Sequence, residues 1–217
     1  MKERIFRIGL PNRGRLGQLC RSIFINNLRM LPESAMDSRK YYHTARDGQS
    51  EFIFARSKDL PRLVSQGTVD ACITGKDYVE DSGEKLKEII DLDLCPGEVD
   101  ILVPNNSQIR TPQELQGLTI ATQLPRIAEK WVQENNLDRV AILVNEGANE
   151  VFPYLGLAHA TLDVVSTGDT ARANELIPII RVLYSSGRLY TSEASYEDNS
   201  QKLDELANGL YLKYLRK

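Results

Sequence analysis

Leu162-Asp163-Val164-Val165-Ser166-Thr167-Gly168-Asp169-Thr170-Ala171-Arg172-Ala173-Asn174 decides how this chain is read. Residues 162–165 are apolar but for one acid and predict a buried strand. Residues 166–170 form a hydroxyl- and glycine-rich turn, and a helix start follows. Free backbone N–H groups and the hydroxyls of Ser166, Thr167 and Thr170 gather there, and both the amides and the helix dipole favour an anion. The carboxylate of Asp163 suits sugar hydroxyls. The pattern therefore suggests a sugar phosphate, its phosphate in the turn and its ribose on the acid. A plain strand–helix turn capped by Thr167 or Thr170 explains the same residues.

Outward from that unit, strand and helix patterns alternate. Strands are predicted over 5–10, 51–55, 69–74, 101–103, 118–122, 141–144, 179–184 and 188–191. Helices are predicted over 16–27, 59–66, 84–88, 111–115, 125–135, 149–157, 171–176 and 197–215, with Pro61 and Pro125 in first turns and Leu203, Leu206, Leu210 and Leu212 spaced for burial. Such alternation predicts an α/β fold with a largely parallel sheet covered by helices. The polar segment 104–108 reads as a crossing between two α/β lobes with a central cleft. Lobe I takes 1–103 plus 181–217, and lobe II takes 104–180. A cleft between lobes is a common way to enclose a polar small molecule.

The chain has 217 residues and a net charge of −3, which gives no electrostatic reason to expect a nucleic-acid partner. No apolar run is long enough to span a bilayer, and the charged start is unlike a signal peptide. Cys20, Cys72 and Cys95 lack metal-ligand spacing and read as reduced thiols of a cytoplasmic protein, with Cys72 inside an apolar strand. Only two histidines, His43 and His159, are present, too few for a histidine-rich metal site.

Six separated segments resemble the ATP phosphoribosyltransferase family of histidine biosynthesis. They are Ile8-Gly9-Leu10-Pro11-Asn12-Arg13-Gly14-Arg15-Leu16; Phe54-Ala55-Arg56 running on to Gly67-Thr68-Val69-Asp70-Ala71-Cys72-Ile73-Thr74-Gly75-Lys76-Asp77; Gly117-Leu118-Thr119-Ile120-Ala121-Thr122 with Pro125; Gly147-Ala148-Asn149-Glu150; the opening stretch; and Ser186-Gly187-Arg188-Leu189 with Ala194-Ser195. The resemblance implies a fold of two lobes like a type II periplasmic binding protein. It implies the short form, without the C-terminal regulatory domain of the long form. Short-form enzymes work as hetero-oligomers with a regulatory subunit similar to histidyl-tRNA synthetase, around a homodimer of the catalytic chain.

The implied reaction joins N1 of ATP to C1 of the ribose of phosphoribosyl pyrophosphate and releases pyrophosphate. The attacking atom belongs to the substrate, which suits a sequence with no Ser/His/Asp or Cys/His arrangement. Magnesium is expected on substrate oxygens, with Glu150 as a second point of contact. The resemblance assigns Arg13, Gly14, Glu150, Asp163, Ser166, Thr167, Gly168, Asp169 and Thr170 to phosphoribosyl pyrophosphate. It assigns Pro11, Arg15, Arg56, Asp70, Gly75, Lys76 and Asp77 to ATP, with Arg15, Arg56, Glu150 and Asp163 closest to the chemistry. Gly14, Gly75 and Gly168 read as turn glycines with positive φ.

The chain departs from the family's pattern at several points. Gly97-Glu98-Val99 stands where members often carry Cys-Arg-Leu. Gln123-Leu124 replaces a Lys/Ser-Tyr pair, and Asn149 replaces a Val before Glu150. Asp169 lies within the phosphate turn, where it is expected to point outward or to cap a helix starting at Ala171. The departures are expected mostly around the acceptor. That leaves a phosphoribosyltransferase with another acceptor, or a non-catalytic small-molecule binder, as alternatives to ATP phosphoribosyl transfer.

Overall fold

The computed structural model describes residues 4–215. The chain divides into two compact units, Met1–Cys95 with Ser186–Lys217, and Pro96–Ser185. The exchange points lie inside two long strands, and the polar segment 104–108 lies within the second unit.

The first unit opens on β1 (Phe6–Pro11), whose Phe6, Ile8 and Leu10 enter the core. Helix α1 (Gly14–Ser22) continues as a wider π turn over Ile23–Asn27. Short β2 (Tyr42–Thr44) pairs antiparallel with β3 (Ser50–Ala55), and β3 runs parallel to β1. Helix α2 (Leu60–Ser65) has Pro61 in its first turn, where the missing N–H costs nothing. β4 (Ala71–Gly75) pairs parallel with β1, and α3 (Lys76–Ser82) follows it at once. One face of this sheet packs Phe24, Phe52, Phe54 and Leu10 with Leu203, Leu206 and Leu210. The other packs Cys72 and Tyr190 against Leu60, Val64 and Val79. Cys72 is fully buried, and burial pushes its thiol pKa up, so it is an inert core group.

β5 (Lys87–Pro104) passes from the first unit into the second. A helix over 84–88 is therefore not formed. The alternation Asp91-Leu92-Asp93-Leu94 is the strand signal, and Leu92 and Leu94 are each only 1% exposed. In the second unit, the side chains of Thr111 and Glu114 close a capping box on a 3-10 turn over Pro112–Leu115. β6 (Thr119–Thr122), α4 (Pro125–Glu134), β7 (Ala141–Val144), α5 (Val151–Tyr154), β8 (Ala160–Val165) and α6 (Asp169–Ala173) follow. β6 lies parallel to both β7 and β8, while β8 lies antiparallel to β5. Leu102 of β5 packs under Ala171 and Leu176, which seats α6 on the sheet.

β9 (Leu176–Thr191) is one continuous strand back into the first unit, where it pairs antiparallel with β4. Helix α7 (Glu193–Leu210), capped by Ser192, ends the described chain with a π turn over Tyr211–Leu215. Leu212 falls on that turn and is 55% exposed, unlike the three buried leucines before it. The ladders are thus mixed rather than largely parallel. No helix of the described residues is long and apolar enough to cross a membrane.

Candidate functional site

In the first unit, three parallel strands end together, and their carboxyl ends carry most of the cationic residues picked from sequence. β1 ends at Pro11, and the Asn12 N–H donates to the Ala55 carbonyl at 2.8 Å, extending the β1–β3 register by one residue. Arg13 then caps α1 in extended conformation, and Gly14 has φ +71°, which an L side chain rarely adopts. Arg13 and Arg15 are exposed. Arg56 follows directly on β3, and the Thr74 hydroxyl donates to the Ser57 carbonyl at 3.0 Å, tying the end of β4 to that turn. Lys76 and buried Asp77 form the first turn of α3, with Gly75 before them. Gly75 has φ −70°, so it is not a positive-φ glycine.

Asp70 is not part of this group. It precedes β4, at the end of the strand opposite Gly75. It is 2% exposed, and its carboxylate accepts from the Arg7 N–H at 2.8 Å and from the Ser195 hydroxyl at 3.3 Å, with Arg4 at 3.2 Å. It fastens β1 to α7, at the far end of β4 from Gly75 and Lys76. Asp70→Ala leaves the Arg7 amide without its acceptor and should cost about 2–3 kcal/mol. Thermal melting should show a fall of several degrees, with turnover per folded molecule unchanged.

In the second unit, Asp163 lies near the end of β8. Its Oδ1 accepts from the Val164 N–H at 2.8 Å and faces the Gln123 amide at 3.5 Å. Burial, and then the neighbouring Glu150 carboxylate, push its pKa up against the hydrogen bonds that lower it. Asn149, fully buried, turns its amide toward this carboxylate without closing a well-formed hydrogen bond. Glu150 stands at the start of α5. Among the described residues no three His, Cys, Asp or Glu side chains gather as a metal site, but the two hard carboxylates suit hydroxyls or an ion carried on substrate oxygens.

The turn after β8 has Gly168 at φ +73° as the N-cap of α6, with no side-chain cap there. The helix starts at Asp169 itself, so Asp169 does not cap a helix from Ala171. Its carboxylate accepts from the Thr167 hydroxyl at 2.6 Å and from the Arg172 guanidinium at 2.6 Å. These bonds hold its pKa below the usual range. Arg172 also donates to the Thr167 carbonyl at 3.1 Å. An internal carboxylate thus occupies two donors suited to a phosphate. Asp169→Ala should tighten binding of ribose 5-phosphate by about two- to tenfold, since a like charge leaves the anion's surroundings. Isothermal titration at low salt checks this, and a large loss would show that Asp169 contacts the ligand itself.

The departures from the family's pattern gather around Asp163 and the turn after β8. A Cβ on Gly97 would lie 3.0 Å from the Val165 carbonyl and 3.2 Å from Ser166 Oγ, so the missing side chain lets the turn close onto β5. Glu98 pairs with Arg181, which answers its reversed charge. Gln123 and Asn149 both face Asp163, and sequence reasoning missed them as site residues. Asn149 carries a signal, a polar residue at a position where Val is usual, whereas Gln123 replaces another polar residue and carries none.

The sequence profile of the ATP phosphoribosyltransferase family matches residues 56–211. The chain is 34% identical over 205 residues to the ATP phosphoribosyltransferase of Methanocella arvoryzae, covering 94% of this chain and 70% of that one. It is 33% identical over 182 residues to that of Methanopyrus kandleri, covering 84% and 63%. Among solved structures it is similar to the ATP phosphoribosyl transferase (HisG:HisZ) complex from Thermotoga maritima, with TM-score 0.84, 16% identity and coverage of 98% and 100%. The periplasmic-binding-protein fold is also evident in the alkanesulfonate-binding protein SsuA from Xanthomonas axonopodis pv. citri, with TM-score 0.60, 15% identity and coverage of 97% and 73%. The chain belongs to the ATP phosphoribosyltransferase family.

Proposed function

We propose that this chain transfers the phosphoribosyl group of phosphoribosyl pyrophosphate to N1 of ATP, releasing pyrophosphate, as the first step of histidine biosynthesis. The observation that carries the reading is the continuous unit of Asp163, the 166–170 turn and α6 in a chain of this family. The second unit takes the phosphoribosyl group. Ser166, Thr167, Thr170 and the amides of 167–170 hold the 5-phosphate, while Glu150 and Asp163 hold the ribose hydroxyls. The first unit takes the nucleotide, with Arg15, Arg56 and Lys76 on phosphates.

C1 of the ribose loses pyrophosphate as N1 of ATP forms the new bond, so the protein supplies no nucleophile. Its work is to position two polyanions and to stabilise a ribosyl cation beside the carboxylates. Magnesium bound to the pyrophosphate would neutralise part of the leaving charge, with Glu150 within the donor set that suits it. A regulatory subunit similar to histidyl-tRNA synthetase is the proposed partner; a hetero-oligomer is supported by the similar Thermotoga maritima structure, which is a HisG:HisZ complex.

Pyrophosphate release from phosphoribosyl pyrophosphate and magnesium, with and without ATP and with and without that subunit, tests the reading. ATP-dependent release is expected. Binding of the sugar pyrophosphate without such release, even with the partner, would move the assignment to another acceptor, and no binding would leave a non-catalytic protein.

A further inference from the structure

Among the described residues, no acid pairs with the buried cation of Arg21. The residue is 9% exposed. Gly17, one helical turn earlier, lets α1 pack against the end of β1, since a Cβ there would lie 2.6 Å from the Pro11 carbonyl. Arg21 follows on the same face of the helix. Its guanidinium stacks 4.3 Å over the Phe54 ring. Nη1 and Nη2 reach the Gly17 and Asn12 carbonyls at 3.5 Å each, the long limit for such bonds, and Nε has no partner. Asn12 Oδ1 and His43 Nε2 are also buried without partners, and His43 stands edge-on to Phe54 at 5.8 Å. The charged neighbours of His43 are Lys40 and Arg21 itself, and the ionisable neighbour acting on Arg21 is the Cys20 thiol, which burial keeps neutral.

Buried charges are ordinarily paired, because desolvation of a lone one is expensive. Another shielded cation of this chain follows that rule. Arg188, with a side chain 13% exposed, meets Glu88 and Asp91 at 2.8 Å each. Arg21 has no such acid, yet it lies under the turn that carries Arg13 and Arg15 at the carboxyl ends of β1 and β3. We infer that the counter-charge of Arg21 is the phosphate chain of a bound ligand, so that Arg21 is a further determinant of polyphosphate binding on the first unit. This rests on the proposed phosphate site at those strand ends. A field from a cation shielded from water reaches a phosphate across one turn of chain far better than a solvated charge does.

The test uses the whole chain and Arg21→Met, which keeps an unbranched stem and removes the charge, with Arg21→Lys beside it. Melting is followed with and without sodium tripolyphosphate, and KM for ATP is measured in the pyrophosphate-release assay. Removing a lone buried charge should leave the ligand-free melting temperature at or above that of the parent, while the rise given by tripolyphosphate falls by more than half in Arg21→Met and is largely kept in Arg21→Lys. KM for ATP should rise about tenfold, the change of one lost charge contact, with kcat altered far less. The tripolyphosphate-induced shift decides the matter whatever the resting stability. An undiminished shift in Arg21→Met, in a parent that turns over ATP, overturns the inference alone and leaves Arg21 as a clamp on two carbonyls. A parent that neither responds to tripolyphosphate nor releases pyrophosphate overturns both the inference and the proposed function.

Discussion

Asp163→Asn should lower turnover by about 100- to 1,000-fold, the scale of losing one charge-stabilising group aimed at a developing cation. The same change should raise the melting temperature of the ligand-free protein at neutral pH. Both expectations come from the environment of one carboxylate. Burial first, and then Glu150, make its ionised form unfavourable in the fold, so its folded pKa lies above the unfolded value. The folded state then binds a proton more readily, and stability falls as pH rises from the unfolded pKa through the folded one. A neutral amide carries no such loss. A melting curve against pH should therefore show the variant gaining on the parent as pH rises from about 4, near the unfolded value of a carboxylate. In the opposite sense, affinity for the ribose should fall on the acid side as Asp163 takes up a proton, and Asp163→Asn should flatten that limb. A variant with unchanged turnover would remove Asp163 from the ribose site, and one less stable than the parent above that window would show that its buried charge does not cost the fold.

How much of this is legible in the sequence depends on where the deciding physics lies. The β8 unit is legible because strand, glycine turn and helix start follow one another within a few residues. Pro125 and the span of β7 are readable for the same reason: local signals fix them. The start of β5 is not, because Lys87 and Glu88 have helical propensity and tertiary pairing overrides it. The joining of 179–184 and 188–191 into β9 is equally hidden, since Ser185, Ser186 and Gly187 look like a break. Their burial between neighbouring strands keeps the strand going. Asp70 misleads because its position near Gly75 in sequence says nothing about which end of a strand it occupies. Gln123 meets Asp163 from 40 residues away, and Arg21 stacks on Phe54 of β3, so no local pattern marks either contact. The structure also changes the meaning of the family departures. Gly97, Gln123 and Asn149 lie beside Asp163 and the turn that follows β8, so they bear on the residues proposed to hold the ribose phosphate.

Gly168→Val should raise the concentration of phosphoribosyl pyrophosphate needed for half-maximal turnover by about 100-fold or more. Two costs combine. Gly168 has φ +73°, and a β-branched residue is strained there by about 1–2 kcal/mol. A Cβ at this point would also lie 2.8 Å from Arg172 Nη1. The guanidinium is the end of a flexible, exposed side chain and can move away, so the lasting effect is on the turn. The backbone of 167–170 must rotate to relieve φ, which turns its amides away from the phosphate that the proposed site holds. Gly168→Asn separates the two costs, because Asn tolerates the left-handed region. It should retain more of the parent's melting temperature than Gly168→Val while still crowding the turn. Thr167→Val keeps the backbone and removes only the hydroxyl, so its loss should be smaller, about 10-fold, the worth of one hydrogen bond to a charged group. In phosphoribosyl pyrophosphate binding the loss should therefore be greatest in Gly168→Val, smaller in Gly168→Asn and least in Thr167→Val. The same order should hold for ribose 5-phosphate, which lacks the pyrophosphate. Equal binding by the parent and all three variants would mean that the turn is only a link between β8 and α6, and that the phosphate is held elsewhere.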